Sequence, residues 1–314
     1  MSKDKLVVSG YSGVNYFIKV DKIPEIGVTQ IVRNKDNSKC YYGGNGINIT
    51  YYLAKLGLNT MPILRGGNDF DKLGIKDFLI KNNISLNGVS YVKDDLSAIC
   101  YMIEDASNEH MVLFYPGAMN EKYACVDCVK DVFANAKFFV MSVASAKDNR
   151  LMLAEAKKCG IPLVFSMKND PDGFPDDLLF DSLCYAQIIF MNDREEKQLI
   201  EKFKLNSISD FSINGNASLI VVTRGKNGCK VLEKKAEGIH TDDVKATTGY
   251  KVVDTAGAGD AFLAGFMYGI LKGKDAIQSA ELGSTMSSFI IEDYGCMTNV
   301  PNETKLLQRN ETRG

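Results

Sequence analysis

Short apolar runs rich in β-branched and aromatic residues recur along the chain: KLVVSG near its start, AKFFVMSV from Ala136, IPLVFSM from Ile161, AQIIFMN from Ala186 and ASLIVVTRG from Ala217. Helical spacing of apolar positions occurs at 45–56, 71–82, 121–134, 147–159 and 193–204. A strand that is apolar on both sides must be buried on both, so this alternation predicts a mainly parallel sheet with helices on each face. Past residue 257 the pattern changes. GAGDAFLAGFMYGILKG and KDAIQSAELGSTMSSFI read as two long helices rich in small residues, with little room for strands.

Two regions break the rhythm. One spans about 13–43, with FIKV, TQIV and KCYY; the other spans about 96–115, with LSAICYMI and HMVLFY. Both read as alternating strands joined by polar turns without intervening helices. They predict a small second sheet of antiparallel strands, apolar on one face, that needs a cleft or a partner subunit to cover. No internal repeat, low-complexity tract or extended linker interrupts the chain, and residues 1–314 are expected to form one domain.

Composition narrows the classes. Of 314 residues, 45% are hydrophobic and 24% charged, enough apolar material for a sizeable core. The net charge of −2, with no basic run, gives a nucleic-acid duplex nothing to bind. No apolar stretch is long enough to span a bilayer. The charged opening Met1–Lys5 leads directly into a strand-like run, so no signal peptide, no membrane partner and a cytoplasmic location are expected. Eight cysteines are too sparse for a disulfide scaffold and fit a reducing compartment. Cys125 and Cys128 form a C-x-x-C pair, but YACVDCVKDVF has the pattern of an amphipathic helix and no second pair stands at zinc spacing. His110 and His240 lie outside any metal-ligand motif.

The strongest chemical feature is Asp254-Thr255-Ala256-Gly257-Ala258-Gly259-Asp260, followed at once by the apolar helix AFLAGFMYGI. Glycines at 257 and 259 allow a tight turn, and the amides there and in the first helical turn make an anion site. Asp260 reads either as a helix cap or as a base that takes an alcohol proton while the turn holds a transferring phosphoryl group. Gly43-Gly44-Asn45-Gly46-Ile47-Asn48 opens another helix. It lacks the third glycine of the dinucleotide fingerprint, which disfavours an oxidoreductase. It reads as a plain turn or as a place where a polyhydroxylated ligand meets backbone and Asn48. Asn192-Asp193-Arg194-Glu195 follows a buried strand, where Asn192 and Glu195 suit either a hydrated Mg²⁺ or a capping box. Thr223-Arg224-Gly225-Lys226-Asn227-Gly228 leaves the next strand through a turn that can touch a nucleotide.

These segments together resemble the PfkB, or ribokinase-like, carbohydrate kinases. DTAGAGDAFLAGF from Asp254 is similar to that family's C-terminal signature, and GGNGINITYYLAKLG from Gly43 to its N-terminal one; with NDRE at 192–195 and TRGKNG at 223–228, the likeness runs in order over essentially the whole chain. The resemblance implies a three-layer α/β/α ribokinase-like fold with a mainly parallel central sheet and a small β-sheet lid that also makes a homodimer in many members. It implies an ATP-dependent kinase acting on the primary hydroxyl of a sugar or nucleoside. Asp260 would be the base, and Gly257, Ala258 and Gly259 the anion hole. Asn192 and Glu195 would organise Mg²⁺ through water, and Thr223, Gly225, Gly228 and Thr255 would lie near ATP; a monovalent cation stays open. Asn15, Gly43, Gly44, Asn48 and Tyr115 would meet the acceptor.

FYPGAM at 114–119, FMNDREE at 190–196 and SAELGS at 279–284 look more like adenosine or nucleoside kinases than ribokinase itself, which favours an adenosine-like acceptor. Asn15 stands where the family's first strand normally ends in Asp, and Ser166-Met167-Lys168-Asn169-Asp170-Pro171 departs from the Asp or Asn that many members place directly after the strand IPLVFSM. The lid candidates carry Tyr16, Phe17, Tyr41, Tyr42, Tyr101, Phe114 and Tyr115, a number that suits a nucleobase as well as it suits lid core. The alternatives are a kinase for ribose, fructose or a fructose phosphate, the last needing a cationic clamp from among Arg33, Lys35, Lys39 and Arg65, or a catalytically silent sugar- or nucleotide-binding protein on the same fold.

Overall fold

Leu6, Val7 and Val8 have no exposed surface, and a strand closed to solvent on both faces belongs inside a covered sheet. The computed structural model describes residues 5–107, 109–124 and 131–313. The first half comprises β1 (Lys5–Ser9), β2 (Gly13–Lys19), β3 (Tyr41–Gly43), α1 (Asn45–Lys55), β4 (Thr60–Gly66), α2 (Ile75–Lys81), β5 (Val89–Tyr91), β6 (Ala98–Glu104) and β7 (His110–Tyr115). The middle comprises β8 (Ala136–Met141), α3 (Ala146–Cys159), β9 (Leu163–Ser166), α4 (Asp176–Tyr185), β10 (Ile188–Asn192), α5 (Asp193–Phe203) and α6 (Asp210–Ile213). The remainder comprises β11 (Leu219–Thr223), β12 (Cys229–Lys235), β13 (Gly238–Val244), α7 (Ala258–Leu271), α8 (Ala276–Ile290) and α9 (Glu303–Glu311).

The main sheet runs β5-β4-β1-β8-β9-β10-β11-β12-β13, parallel from β5 to β11 and closed by the antiparallel β12 and β13. Alternate residues of each strand feed opposite cores. Val7, Phe139, Phe165, Ile189 and Ile220 pack with α3, α4 and α5, whereas Leu6, Val8, Val140, Val164 and Val221 pack with α1, α7 and α8. This is the expected α/β/α fold with its mainly parallel sheet. The small residues of α7 and α8 let their backbones touch: a Cβ on Gly265 would lie 2.6 Å from the Leu282 carbonyl oxygen.

Four strands lay outside the sequence-based expectation. β4 contains Pro62 and Arg65, which mark a segment as an edge or loop, yet it sits between β1 and β5. Arg65 is buried there because it pairs with buried Asp148 and donates to the carbonyls of Ala118 and Asn120. β5 is only three residues long, and β12 and β13 are largely polar because they form the exposed end of the sheet. The helix expected at 121–134 is described only at its ends, as a 3₁₀ turn at Glu121–Tyr123 and a turn over 131–135. Cys125 and Cys128 lie outside the described residues.

A second sheet has the order β3-β2-β6-β7. Its outer pairs are antiparallel, but the central pair β2 and β6 is parallel, from Gly13 opposite Ala98 to Lys19 opposite Glu104. The all-antiparallel expectation fails because β2 and β6 each leave a strand of the parallel main sheet, β1 and β5, in the same direction. TQIV forms no strand either. Residues 20–40 loop back beside Lys19, where the Arg33 N–H donates to the Lys19 carbonyl at 2.7 Å, and Ile31 stays exposed. Among the described residues, no helix is long and apolar enough to cross a membrane.

Candidate active site

Parallel strands end on one edge, and ligands of such sheets bind outside their carboxyl ends. Asn192 and Thr223 are register neighbours at that edge, closing β10 and β11. β9 ends beside them, and two residues on stands Lys168. Facing them from the other layer is the first turn of α7. Gly257 precedes that helix with φ +78°, and a Cβ there would come within 2.8 Å of the Tyr52 hydroxyl and 3.1 Å of Cys296. Only glycine fits. The turn is tied down from both sides: Asp254 accepts from the amides of Ala256 at 2.8 Å and Gly295 at 3.1 Å. The Ala258 N–H closes onto the Thr255 carbonyl at 3.2 Å. The amides of Gly259 and Asp260 have no carbonyl four residues back inside the helix, an arrangement that suits an anion.

Asp260 is 4% exposed. Its Oδ2 accepts from Asn48 Nδ2 at 3.0 Å, and Oδ1 lies 3.4 Å from the Lys168 ammonium. Oδ1 accepts no hydrogen bond, nor does the buried Oδ1 of Asn48. Two adjacent buried acceptors without donors cost free energy unless a ligand supplies hydroxyls. The Asp260 carboxylate, with Glu195 behind it, holds the Lys168 ammonium above the ordinary lysine range against the opposite pull of burial. Burial likewise pushes the neighbouring Cys296 thiol up to about 12, so it stays protonated.

Asn48 connects this centre to a second space. It lies one turn along α1 from Gly44, where both the φ of +90° and the Tyr11 carbonyl oxygen, 2.3 Å from where a Cβ would sit, require glycine. Gly44 borders an open cleft of about 200 Å³ lined also by Tyr11, Ser12, Asn15, Asn45, Cys100 and Phe114. Asp260 does not line this cleft; helix α1 spans the two. The Asn15 amide lies over Gly43, where a Cβ would sit 2.2 Å from its Nδ2. Phe114 meets Tyr11 edge-on at 5.2 Å. Asn15, Gly43 and Gly44 therefore converge at this cleft, while Asn48, one turn along α1, turns its side chain to Asp260.

Tyr115 does not join them: it is exposed and its hydroxyl donates to Asp95. The other candidate rings pack on one another or on α2: Tyr16 with Tyr101 at 5.7 Å, Phe17 with Tyr41 at 5.2 Å, and Tyr42 with Phe78 of α2 at 4.9 Å. The candidate cations disperse as well. Arg33 pairs with Asp21, Lys39 lies over Tyr41, Lys35 is exposed and Arg65 belongs to the buried pair already described.

Asn192 and Glu195 form a complete capping box, Asn192 Oδ1 accepting from the amides of Arg194 and Glu195 at 2.9 Å and Glu195 Oε2 from the Asn192 amide at 2.8 Å. Burial raises the Glu195 carboxyl above its ordinary pKa, against the pull of the Asn192 amide and Lys168. A buried carboxylate and an amide already engaged in a cap suit a hydrated Mg²⁺ held through water, not direct coordination. Among the described residues no cluster of three His, Cys, Asp or Glu side chains is placed to hold a metal directly. Thr223 donates to the Met191 carbonyl at 3.3 Å. Gly225 opens the turn after it with φ +54°, and Gly228 is required by Val244, whose carbonyl oxygen a Cβ would meet at 1.9 Å. Lys168, Tyr11, Tyr52 and Cys296 escaped sequence reasoning. Tyr52 falls inside GGNGINITYYLAKLG without being singled out there, Tyr11 and Cys296 sit in no quoted motif, and only the departure beginning at Ser166 marked Lys168.

Residues 3–303 match the model of the pfkB family carbohydrate kinases. A nucleoside kinase of Methanocaldococcus jannaschii is 24% identical over 98% of this chain and 97% of its own length. The crystal structure of the M. jannaschii nucleoside kinase superposes with a TM-score of 0.86 over 99% of both chains, at 24% identity. A Burkholderia thailandensis nucleoside kinase in complex with inosine superposes with a TM-score of 0.85 over 98% of both chains, at 23% identity. A sugar kinase of Archaeoglobus fulgidus, itself uncharacterized, is 36% identical over 79% of this chain and 98% of its own length.

Proposed function

The chain belongs to the pfkB family of carbohydrate kinases, and we propose that it is a cytoplasmic enzyme transferring the γ-phosphoryl group of ATP to a primary hydroxyl of a nucleoside. The observation that carries this reading is the Asp260 carboxylate, buried beside the amides of a helix start with one oxygen lacking a hydrogen-bond donor. A hydroxyl satisfies that oxygen and a phosphoryl group satisfies the amides, so the two reactants meet at one point. Asp260 takes the hydroxyl proton as the acceptor oxygen bonds to phosphorus and the bond from phosphorus to the bridging oxygen breaks, its electron pair leaving with ADP, while the Gly257–Gly259 turn, shaped in part by Ala258, steadies the charge on the group in flight. Thr223, Gly225, Gly228 and Thr255 flank the nucleotide. Mg²⁺, when bound, neutralises nucleotide phosphate charge, with Asn192 and Glu195 orienting its waters.

Asn15 and Asn48 offer amide donors and acceptors to vicinal hydroxyls, and the Tyr11–Phe114 pair gives a base an apolar wall. The named nucleoside kinases support this acceptor. The likeness to the A. fulgidus sugar kinase favours a second reading, a free sugar. A phosphorylated sugar has less support, because Arg33 and Arg65 are already paired. In this reading residues 1–314 work as one kinase domain. The second sheet acts as the lid over the acceptor, and the outer edge of β7, with Val112 and Leu113 exposed, joins two copies.

The deciding experiment compares kcat/KM with ATP for adenosine, inosine, other nucleosides, ribose, fructose and fructose phosphates under one set of conditions. A nucleoside is expected to lead. A simple sugar ahead of every nucleoside by more than about tenfold, or about 1.4 kcal/mol of transition-state binding, overturns the nucleoside assignment alone. No phosphorylation of any acceptor overturns the kinase reading and leaves a silent binding protein.

A further inference from the structure

Lys168 sits in a stretch that belongs to none of the motifs discussed above, yet it occupies the centre of the site. Its Nζ is 3.4 Å from Asp260 Oδ1, and it is the one neighbour that a Cβ built on Gly259 would find, at 3.8 Å. The ammonium therefore stands over the same first turn of α7 whose amides form the anion site. Its backbone is held on both sides, by the Met167 amide donating to the Phe190 carbonyl at 2.9 Å and by the Asn169 amide donating to Glu195. The side chain is 37% exposed, so a ligand can reach it.

A structural role explains little of this placement. Asp260 is already oriented by Asn48, and the contact with Lys168 is too long for a good hydrogen bond. Charge explains more. A γ-phosphoryl group in the α7 turn brings anionic oxygens against the Asp260 carboxylate, and among the described residues Lys168 is the one cation paired with that carboxylate. The carboxylate's remaining neighbours are Asn48 and Tyr52 of α1 and Cys296 after α8, while Glu195 of α5 faces the Lys168 ammonium and Asp254 faces Tyr52 and Cys296.

Building on the kinase reading, we propose that Lys168 is a further catalytic residue, whose ammonium pairs with Asp260 at rest and bears on the transferring phosphoryl oxygens during the reaction. The acceptor oxygen forms a bond to phosphorus while the bond from phosphorus to the bridging oxygen of ADP breaks. The electron pair of that bond leaves with ADP, the hydroxyl proton passes to Asp260, and Lys168 keeps its proton throughout. The raised lysine pKa keeps it cationic over the working range.

The test uses Lys168→Met and Lys168→Arg in the full chain, with the acceptor that the wild type uses best. Lys168→Met is expected to lower kcat about 10²–10³-fold, as removal of a transition-state donor does, with KM for the acceptor within about threefold and Tm little changed. Lys168→Arg, which keeps the charge, is expected to restore about tenfold or more. A Lys168→Met kcat within about fivefold of the wild type overturns the role. So does equal loss in both variants, or loss that tracks only a fall in Tm. An inactive wild type instead overturns the kinase reading itself, so the two failures are distinguishable.

Discussion

Replacing Asp260 by Asn preserves shape and the helix-start position while removing proton acceptance. The amide oxygen that takes the place of Oδ2 still accepts from Asn48 Nδ2, the 3.0 Å contact that orients the group. What disappears is the negative charge facing Lys168 across 3.4 Å. That lysine side chain is 37% exposed, so solvent screens the pair and its loss costs at most about 1 kcal/mol of stability, a few degrees in Tm for a chain of this size. The chemical loss is much larger. General-base catalysis is worth about 10²–10⁴-fold, or about 2.7–5.4 kcal/mol at about 1.36 kcal/mol per decade. The prediction is therefore a split: kcat down by about 10²–10⁴ with melting almost unmoved. Turnover is read as nucleoside- or sugar-dependent ADP formation, and folding by thermal denaturation of the same samples. A kcat within about fivefold of the wild type refutes Asp260 as the base and leaves it a cap. A fall in Tm of more than about 10 °C refutes the reasoning that the carboxylate is there for chemistry.

Glu195→Gln keeps the cap acceptor but loses the charge, so half-maximal activity should require several-fold more Mg²⁺; an unchanged Mg²⁺ titration leaves only the capping role. Burial raises the Glu195 carboxyl from the ordinary 4.5, so the folded chain holds a proton that the unfolded chain has released. Its share of stability then falls as pH rises from about 4.5 through the native pKa, and Glu195→Gln should flatten Tm against pH in that window; an unaltered slope refutes the shift. Leu113→Glu on the outer edge of β7 should weaken self-association at least tenfold by sedimentation, and a monomeric wild type or an indifferent dimer refutes that interface.

Much of the fold was legible because its driving force is local and periodic. KLVVSG, AKFFVMSV and AQIIFMN are apolar on both faces, and only a strand covered on both sides satisfies them. The α7–α8 pair announced itself in the same way through its small residues. β4 was hidden because Pro62 and Arg65 argue against an inner strand until Asp148, 83 residues away, neutralises the arginine. The parallel pairing of β2 with β6 was hidden because register between distant strands follows from where β1 and β5 point, not from either strand's own pattern.

The site divides along the same line. Backbone chemistry belongs to sequence: a glycine turn followed by a helix and Asp260 specifies an anion site with a carboxylate beside it, since dihedral freedom and helix-start amides are properties of a few consecutive residues. Side-chain convergence belongs to the tertiary structure. The sheet edge brought Lys168 to Asp260 and α1 brought Asn48 there, while Tyr115 and the cationic candidates went elsewhere. A charge 92 residues away in the chain becomes a neighbour at 3.4 Å only when β9 and α7 pack on one sheet, and Coulomb energy depends on that distance, not on separation in the sequence.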